Sequence, residues 1–485
     1  MSLTSALNTA QNIFRNTGEQ TSVITTNIAN NGNANYVRRA PVVTNTIYGA
    51  SMVNTERAQQ MALLRQLTSA SSASSAQEAL LKGLTTLSNA LGGNDYELSP
   101  STYLAQLQNS LDALAASPGE FTLAATVVTD AQDVANSLNK AAKTVQKVRV
   151  DADAEIKSQV DELNRLLAEF EVVNTTVVKA MAIGADAHNA LDTRDTLLKD
   201  ISQIIGIEAN ARGNGDMVIY TTQGTTLFET IPRTVTFNRT LAYDATVTGN
   251  SIFVDGVAIK PGQGGNTSAD GSLSALLQLR DEIAPTFQTQ LDEVARGLIE
   301  AFAETDPLGV AADMPGLFTW SGGTALTSGI VEPGLAGSIR VSTAVITSSG
   351  GNPMLLRDGG INGAAYTWNT SNASGYTALL VRYSDQLDAD RTFDATADLK
   401  TSMSVMTFAS GSIGWLEDLR SKATTASDNK VALYERSFQS YSSSTGVSLD
   451  EELSLLLDVE QSYKATAKLV ATIDEMFQSV LAMVR

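Results

Sequence analysis

From Leu3 onward, small or apolar side chains recur at Leu3, Leu7, Ala10, Phe14, Thr17, Thr21, Ile24 and Ile28, in steps of four and three. At the far end Leu449, Leu456, Tyr463, Val470, Phe477 and Val484 fall at steps of seven, and Val459, Ile473 and Val480 fill the seam between them. A repeat averaging about 3.5 residues keeps one narrow face of a helix turned towards a partner helix. The pattern predicts two terminal helices whose seams meet each other or copies of themselves, and so a chain that works by assembling. Ordinary core burial produces the same kind of stripe. Two features favour assembly: the seams sit at the termini, where chains are usually frayed, and pairing them across the intervening chain requires a nested fold.

Between the stripes the period changes several times. The Asn-rich run Asn30–Asn35 ends the first helix, because these side chains bond their own backbone and tolerate left-handed conformations. Tyr36–Val53 alternates loosely around Pro41 and reads as extended chain. Helix is expected over Glu56–Leu91, closed by Gly92-Gly93-Asn94-Asp95, and over Ser101–Ala116, stopped by Pro118-Gly119. The longest element should run from Phe121 to about Met181. There Val134, Leu138, Ala141, Val145, Val148 and Ala152 hold the heptad step, Ile156 and Val160 add further steps of four, and Leu163, Leu167 and Phe170 resume it. Such stutters unwind a coiled coil locally without ending it. A helix of roughly 60 residues would be about 90 Å long, which suits a rod better than an enzyme. A shorter helix is expected over Leu191–Ile204.

From Ile207 to about Lys260 the chain turns rich in Thr, Val, Ile, Tyr and Gly. Met217–Tyr220, Thr225–Phe228, Thr234–Phe237 and Ile252–Val254 read as short strands. Gly262–Gly271 is a loop. Helix returns over Leu273–Glu304, with Leu276, Leu279, Ile283, Phe287, Leu291, Val294 and Leu298 on one face and a kink expected at Pro285. Leu317–Thr347, including Ser338–Thr343, reads as β, and Gly350–Gly363 as loop. Helix then dominates to the end, with Met403–Ser444 expected to break near Gly411–Gly414.

Composition narrows the chemistry. The 485 residues suggest roughly three domains, and 43% hydrophobic residues suffice to bury a core. With 33 basic against 52 acidic residues the net charge is −19, and no basic cluster invites nucleic acid or anionic membrane. The absence of cysteine excludes disulfides, thiolate catalysis and zinc–sulfur sites. No apolar run is long enough to span a membrane, and the first residues lack the basic and apolar stretches of a Sec signal. Export, if it occurs, would therefore use a route without a cleaved signal.

Candidate catalytic groups are sparse. The lone histidine, His188, reads as a surface or capping residue rather than a base or ligand. Asp151-Ala152-Asp153-Ala154-Glu155 lacks the central glycine and distant glutamate of a calcium loop and reads as a solvated helix face. Ser137 with Lys140, and Ser427-Asp428-Asn429, echo penicillin-recognising enzymes, but no K-T-G completes the set. Asp192, Arg194 and Asp195 read as a helix with local ion pairs, worth little if exposed. No metal, cofactor or catalytic site is expected.

Three stretches resemble the flagellar hook-associated protein 1 family. Thr26-Asn27-Ile28-Ala29-Asn30 through Asn35-Tyr36-Val37-Arg38-Arg39 is similar to the N-terminal signature of flagellar axial proteins, with Asn35 where glycine is common. Leu191-Asp192-Thr193-Arg194-Asp195-Thr196-Leu197-Leu198, then Gly215-Asp216-Met217-Val218-Ile219-Tyr220 and Gly271-Ser272-Leu273 through Asp292, resembles the helix and hairpin of the junction protein. Ser444–Glu452 with Glu460-Gln461-Ser462-Tyr463 resembles the family's C-terminal segment. The signature residues are thus Asn27, Asn30, Tyr36, Arg38, Asp192, Arg194 and Asp195, and the stripe residues form the expected assembly interface.

The resemblance implies a secreted structural adaptor, exported through the flagellar type III apparatus and assembled as a homo-oligomeric ring at the hook–filament junction. Its implied partners are the hook protein, a second hook-associated junction protein and an export chaperone at the C-terminal helix. The expected fold is mainly α with inserted β, a nested multidomain rod. Residues 1–35 and 446–485 would form a terminal coiled coil, mobile until assembly. Residues 36–206, 270–305 and 355–445 would form a helical bundle domain, and 207–269 with 306–354 a β-rich outer domain. The rivals are another flagellar axial protein, such as a hook or filament component, an extracellular enzyme on a helical scaffold, and a type III tip protein. The central signature argues against the first, the empty motif search against the second, and the lack of long apolar segments against the third.

Overall fold

In the computed structural model, residues 3–45 and 51–483 are described. The chain leaves α1 (Leu3–Ala29) through the Asn-rich turn into an antiparallel hairpin, β1 (Arg39–Asn45) and β2 (Ser51–Arg57). It continues through α2 (Met61–Ala90), α3 (Pro100–Ala116), the 62-residue α4 (Phe121–Ala182) and α5 (His188–Ile204). Two small antiparallel sheets follow: β3 (Ile207–Ala211), β4 (Met217–Thr221) and β5 (Thr226–Phe228), then β6 (Val235–Thr236), β7 (Phe253–Val254) and β8 (Val257–Ala258). The chain returns as α6 (Ser272–Gln278), a π-helical turn over Leu279–Ile283 and α7 (Ala284–Ala301). Short elements succeed it: β9 (Phe318–Thr319), α8 (Leu335–Ser338), β10 (Arg340–Val341) and α9 (Leu355–Asp358). Then come α10 (Ala378–Asp388), the ribbon β11 (Arg391–Thr392) and β12 (Ser402–Met403), α11 (Val405–Thr445) and α12 (Leu449–Met483). The fold is mainly α with small β insertions, as the periodicity indicated.

The apolar stripe expected on α4, from Val134 to Phe170, is buried at every position, stutters included. It is the spine of one continuous core that reaches from Leu64 to Tyr441. The β insertions share that core. Phe228 of β5 meets Phe170 of α4 edge to face at 5.0 Å. The Asn164 amide brackets Val235 of β6, donating to its carbonyl at 2.8 Å and accepting its N–H at 3.1 Å. The predicted face of α6, the π-turn and α7, Leu276 through Leu298, is buried throughout. Local capping sets element starts: Ser99 accepts from the Thr102 N–H and Ser404 from the Thr407 N–H, fixing α3 and α11.

Several expectations need correction. The helix after the hairpin begins at Met61, because Glu56 and Arg57 belong to β2. Pro285 produces a widened turn in place of a simple kink. Its ring cannot donate and crowds the carbonyl four residues back, and the chain relieves this with a π-helical turn. Only Phe318–Thr319 and Arg340–Val341 are strands within Leu317–Thr347, and Ser338 ends a helical turn. Leu355–Asp358 forms another helical turn inside the expected loop. Helix α11 runs unbroken through Gly411 and Gly414, since packing of Phe408, Ser412 and Leu416 outweighs the roughly 1 kcal/mol helix cost of each glycine.

Asp153 is not on a solvated face. It is fully buried, bonded to the buried Arg280 of the π-turn and to the Tyr243 hydroxyl at 2.8 Å. A buried carboxylate of this kind needs such partners to be tolerated. Gly271, in the loop before α6, has φ +83°, and a Cβ there would meet the Ile204 carbonyl at 2.5 Å. Glycine is therefore required for this loop to close on the end of α5.

Candidate assembly interface and the latch beneath it

Helices α1 and α12 pack on each other within the chain and run antiparallel. Asn27 near the end of α1 bonds Glu452 in the first turn of α12, while Phe14 meets Tyr463 edge to face at 4.9 Å. On α1, Ala10, Thr17 and Ile24 are buried and Leu3, Leu7, Phe14 and Ile28 half-buried; Thr21 is exposed. On α12, Ile473 is buried and Leu456, Val459, Val470 and Phe477 are half-buried. Leu449, Tyr463 and Val480 stay exposed, though Tyr463 contributes its ring edge to Phe14. Val484 lies outside the described residues. The seam also contains two buried polar residues that the apolar pattern did not include, Glu452 and Thr466.

A polar latch joins this pair to the helical body. The buried Asn27 amide donates to the Arg39 carbonyl at 2.7 Å and to Glu452 Oε2 at 3.0 Å. Its carbonyl accepts from the Tyr36 hydroxyl at 2.7 Å and the Arg39 N–H at 3.1 Å. Arg38 donates Nε to Glu452 Oε1 at 2.6 Å, and its backbone N–H donates to the Thr445 carbonyl at the end of α11. Glu452 thus ties α12 to α1 and to the segment that leads into the hairpin. Asn30 stands apart, since its amide bonds the Thr26 carbonyl and finishes its own helix. Asn35 does not adopt left-handed backbone; Gly32 does, at φ +80°.

The hairpin carries the latch to α5. Arg39 and Arg57 face each other across β1 and β2, so their like charges share one face. Asp192 and Asp195, three residues apart on one side of α5, receive both. Arg57 bonds Asp192 at 2.8 Å and Asp195 at 2.7 Å, while Arg39 reaches Asn189 at 2.6 Å and Asp192 at 3.5 Å. Tyr441 of α11 approaches Asp195 at 3.5 Å. Burial opposes the Arg57 charge, but bonds to Asp195 and Asp192 outweigh it and hold its pKa above the ordinary arginine value. Burial pushes the Asp192 carboxyl up, against the pull of Arg57. Burial, with Asp195 beside it, raises the Tyr441 hydroxyl to about 12. Arg194 points elsewhere, to Asn174 of α4 at 3.1 Å and to the Gly215 carbonyl in the β3–β4 turn at 2.7 Å.

The signature residues Asn27, Tyr36, Arg38, Asp192 and Asp195 therefore meet in one network, and the reading of Asp192, Arg194 and Asp195 as a helix with local ion pairs is corrected. All three are buried and bond distant partners. Arg57 and Tyr441 were missed, while Arg39 and Glu452 lay inside the resembling stretches without being singled out. Glu452 could have been found, because it occupies a seam position seven residues before Val459 where an apolar residue is expected. His188 begins α5 and its Nε2 lies 3.1 Å from the Thr55 carbonyl. The Ser137 hydroxyl is spent on the Val134 carbonyl, and Lys140 is exposed. Among the described residues no group of three metal-ligating side chains converges, and no helix is long and apolar enough to cross a membrane.

A family profile described as the flagellar hook-associated protein FlgK helical domain matches residues 84–317, and one described as the flagellar basal body rod FlgEFG protein C-terminal matches 439–483. The chain is 24% identical over 408 residues to flagellar hook-associated protein 1 of Bacillus subtilis (strain 168), across 79% of this chain and 75% of that one. With flagellar hook-associated protein 1 of Escherichia coli (strain K12) the identity is 24% over 205 residues, across 38% of this chain and 36% of that one. The solved structure of the flagellar hook junction protein FlgK from Burkholderia pseudomallei matches with a TM-score of 0.57 and 13% identity, covering 78% of this chain and 100% of that one. At that identity the likeness is one of fold.

Proposed function

Since the chain belongs to the flagellar hook-associated protein 1 family, structural components of the flagellar axis, we propose that it is a non-catalytic adaptor that assembles as a ring at the hook–filament junction after type III export. The observation that carries this reading is a second apolar row on α12. Leu455, Leu469, Met476 and Met483 lie on one flank at multiples of seven residues, with Ser462 between the first two, and all four apolar side chains are exposed. A helix whose seam is engaged by α1 and whose flank still offers a heptad-spaced row suits packing against helices of neighbouring subunits. The same helix is the proposed contact for an export chaperone before assembly.

In this reading residues 1–35 and 446–485 form the inner layer, the helical segments 36–206, 270–305 and 355–445 the next, and the β-bearing segments 207–269 and 306–354 the outer one. The hook protein lies on one side of the ring and a second junction protein on the other. Export without a cleaved signal accords with the absence of cysteine, which leaves nothing to crosslink outside the cell. The profile match over 84–317 favours the junction protein over other axial components, whereas the C-terminal match is shared with rod proteins. Replacing Val470 and Phe477 by Asp should abolish filament assembly while the helical body keeps its melting transition. Normal filaments on cells carrying only that variant would contradict the assignment.

A further inference from the structure

A groove of 670 Å³ runs between α2 and α4, floored by α6 and the π-turn. Its two walls are antiparallel. At one end the Gly271 N–H donates to the Ser72 carbonyl and the Ser272 hydroxyl bonds Gln159; at the other, Leu279 nests against Gly83 and Arg149 Nε donates to the Arg280 carbonyl. Along α2 the groove extends from Ser75 to Thr86, roughly 16 Å or three helical turns. Its floor and lower walls combine small and apolar residues, Ala79, Gly83, Ala152, Leu276 and Leu279, with the amides of Gln159 and Gln203 towards the Ser272 end. Its rim is acidic, with Glu78, Asp151, Glu155 and Glu162 against the single Lys82.

We propose that this groove is a docking cleft for a basic amphipathic helix of a partner protein. Two antiparallel helical walls bearing small residues over a leucine-lined floor accept a third helix by ridge-into-groove packing. The rim decides the chemistry of that helix. Asp151 and Glu162 hold exposed local partners, Lys147 and Arg165, which cost little to exchange. Among the described residues Glu78 and Glu155 have no ion pair, and the one neutral bond that Glu155 accepts, from the Gln159 amide at 2.9 Å, leaves its charge available to an incoming cation. The chain itself carries a net charge of −19, so a second copy is disfavoured as the occupant where a Lys- or Arg-rich helix is steered in.

The probe is a helix-stabilised peptide of about three to four turns, with Ala and Leu at i, i+3, i+4 and i+7 and Lys on both flanks, titrated into the full chain. A second peptide carries Glu on the flanks. The variant Glu78→Lys/Glu155→Lys reverses the rim at two exposed positions, and its unchanged melting curve serves as the folding control. The Lys peptide should bind saturably, crosslink near Ala79 and Ala152, and lose about tenfold or more in affinity for the variant, which should gain affinity for the Glu peptide. Three outcomes would overturn the proposal: no saturable binding, equal affinity of the Lys peptide for both proteins, or self-association of the chain through this groove that the variant abolishes.

Discussion

At the residue scale, a few buried charges decide how the layers meet. Arg57 supplies most of the positive charge opposite Asp192 and Asp195, and both carboxylates are buried. Arg57→Met should therefore destabilise the chain by about 3–5 kcal/mol, the cost of leaving buried charges without their partner, read from denaturant midpoints. Arg39 Nε, Arg57 Nη1 and Asp195 Oδ1 have no hydrogen-bond partner among the described residues, and each such atom costs about 1–3 kcal/mol. The latch thus contributes orientation more than net stability. Glu452→Ala should release Arg38 and Asn27 together and weaken docking of α12 by about 2–3 kcal/mol, seen as faster amide exchange in α1 and α12 with the body unchanged.

Asp292 gives a pH test. It is buried on α7, where its carboxylate accepts the Gly334 and Ala336 N–H groups at the start of α8 and the Gln288 amide one turn back on its own helix. Burial dominates those bonds and raises its pKa from 3.8 to about 6. The folded chain then holds a proton that the unfolded chain releases, so this group's contribution is full below about pH 4 and is lost as pH rises to about 6. The shift corresponds to roughly 3 kcal/mol. In Asp292→Asn this slope should vanish, so the stability of wild type relative to the variant should fall between pH 4 and pH 6 and level off above it. A constant difference across that window would refute the assignment.

At the element scale, legibility followed sequence distance. The heptad stripes announced α1, α4 and α12 because each is a local, repeated pattern, and every α4 position named from it is buried. The asparagine run and the Pro118-Gly119 stop placed helix ends within a residue or two for the same reason. What stayed hidden depends on partners far away. Asp153 looked like solvated helix face because Arg280 lies 127 residues further on. The two-residue strands leave no alternation to read, and Gly411 and Gly414 signalled a break that packing overrides. The proposed mobility of the terminal pair before assembly belongs to this scale. In dilute monomer, amides of α1 and α12 should exchange far faster than those of α4, and equal strong protection would contradict it.

At the scale of the whole molecule, the chain goes out along α1, builds the helices and small sheets between, and comes back along α12, so its first and last described helices pack on each other. The sequence period suggested that nesting, and the C-terminal resemblance pointed to its use. The latch beneath was half legible: the signature residues were nameable one by one, but their meeting depends on Arg39 and Arg57 facing each other across the hairpin, which only pairing register reveals. The proposed ring would need terminal helices that pack on neighbours while the bodies keep a set orientation, and the latch with the exposed row on α12 supports that proposal.

The most direct measurement is labelled-antibody electron microscopy of isolated flagella, with antibody raised against the purified chain. A single band of label where hook meets filament is the expected result. Label spread along the hook or the filament, or absent from intact flagella, would contradict assembly at the junction.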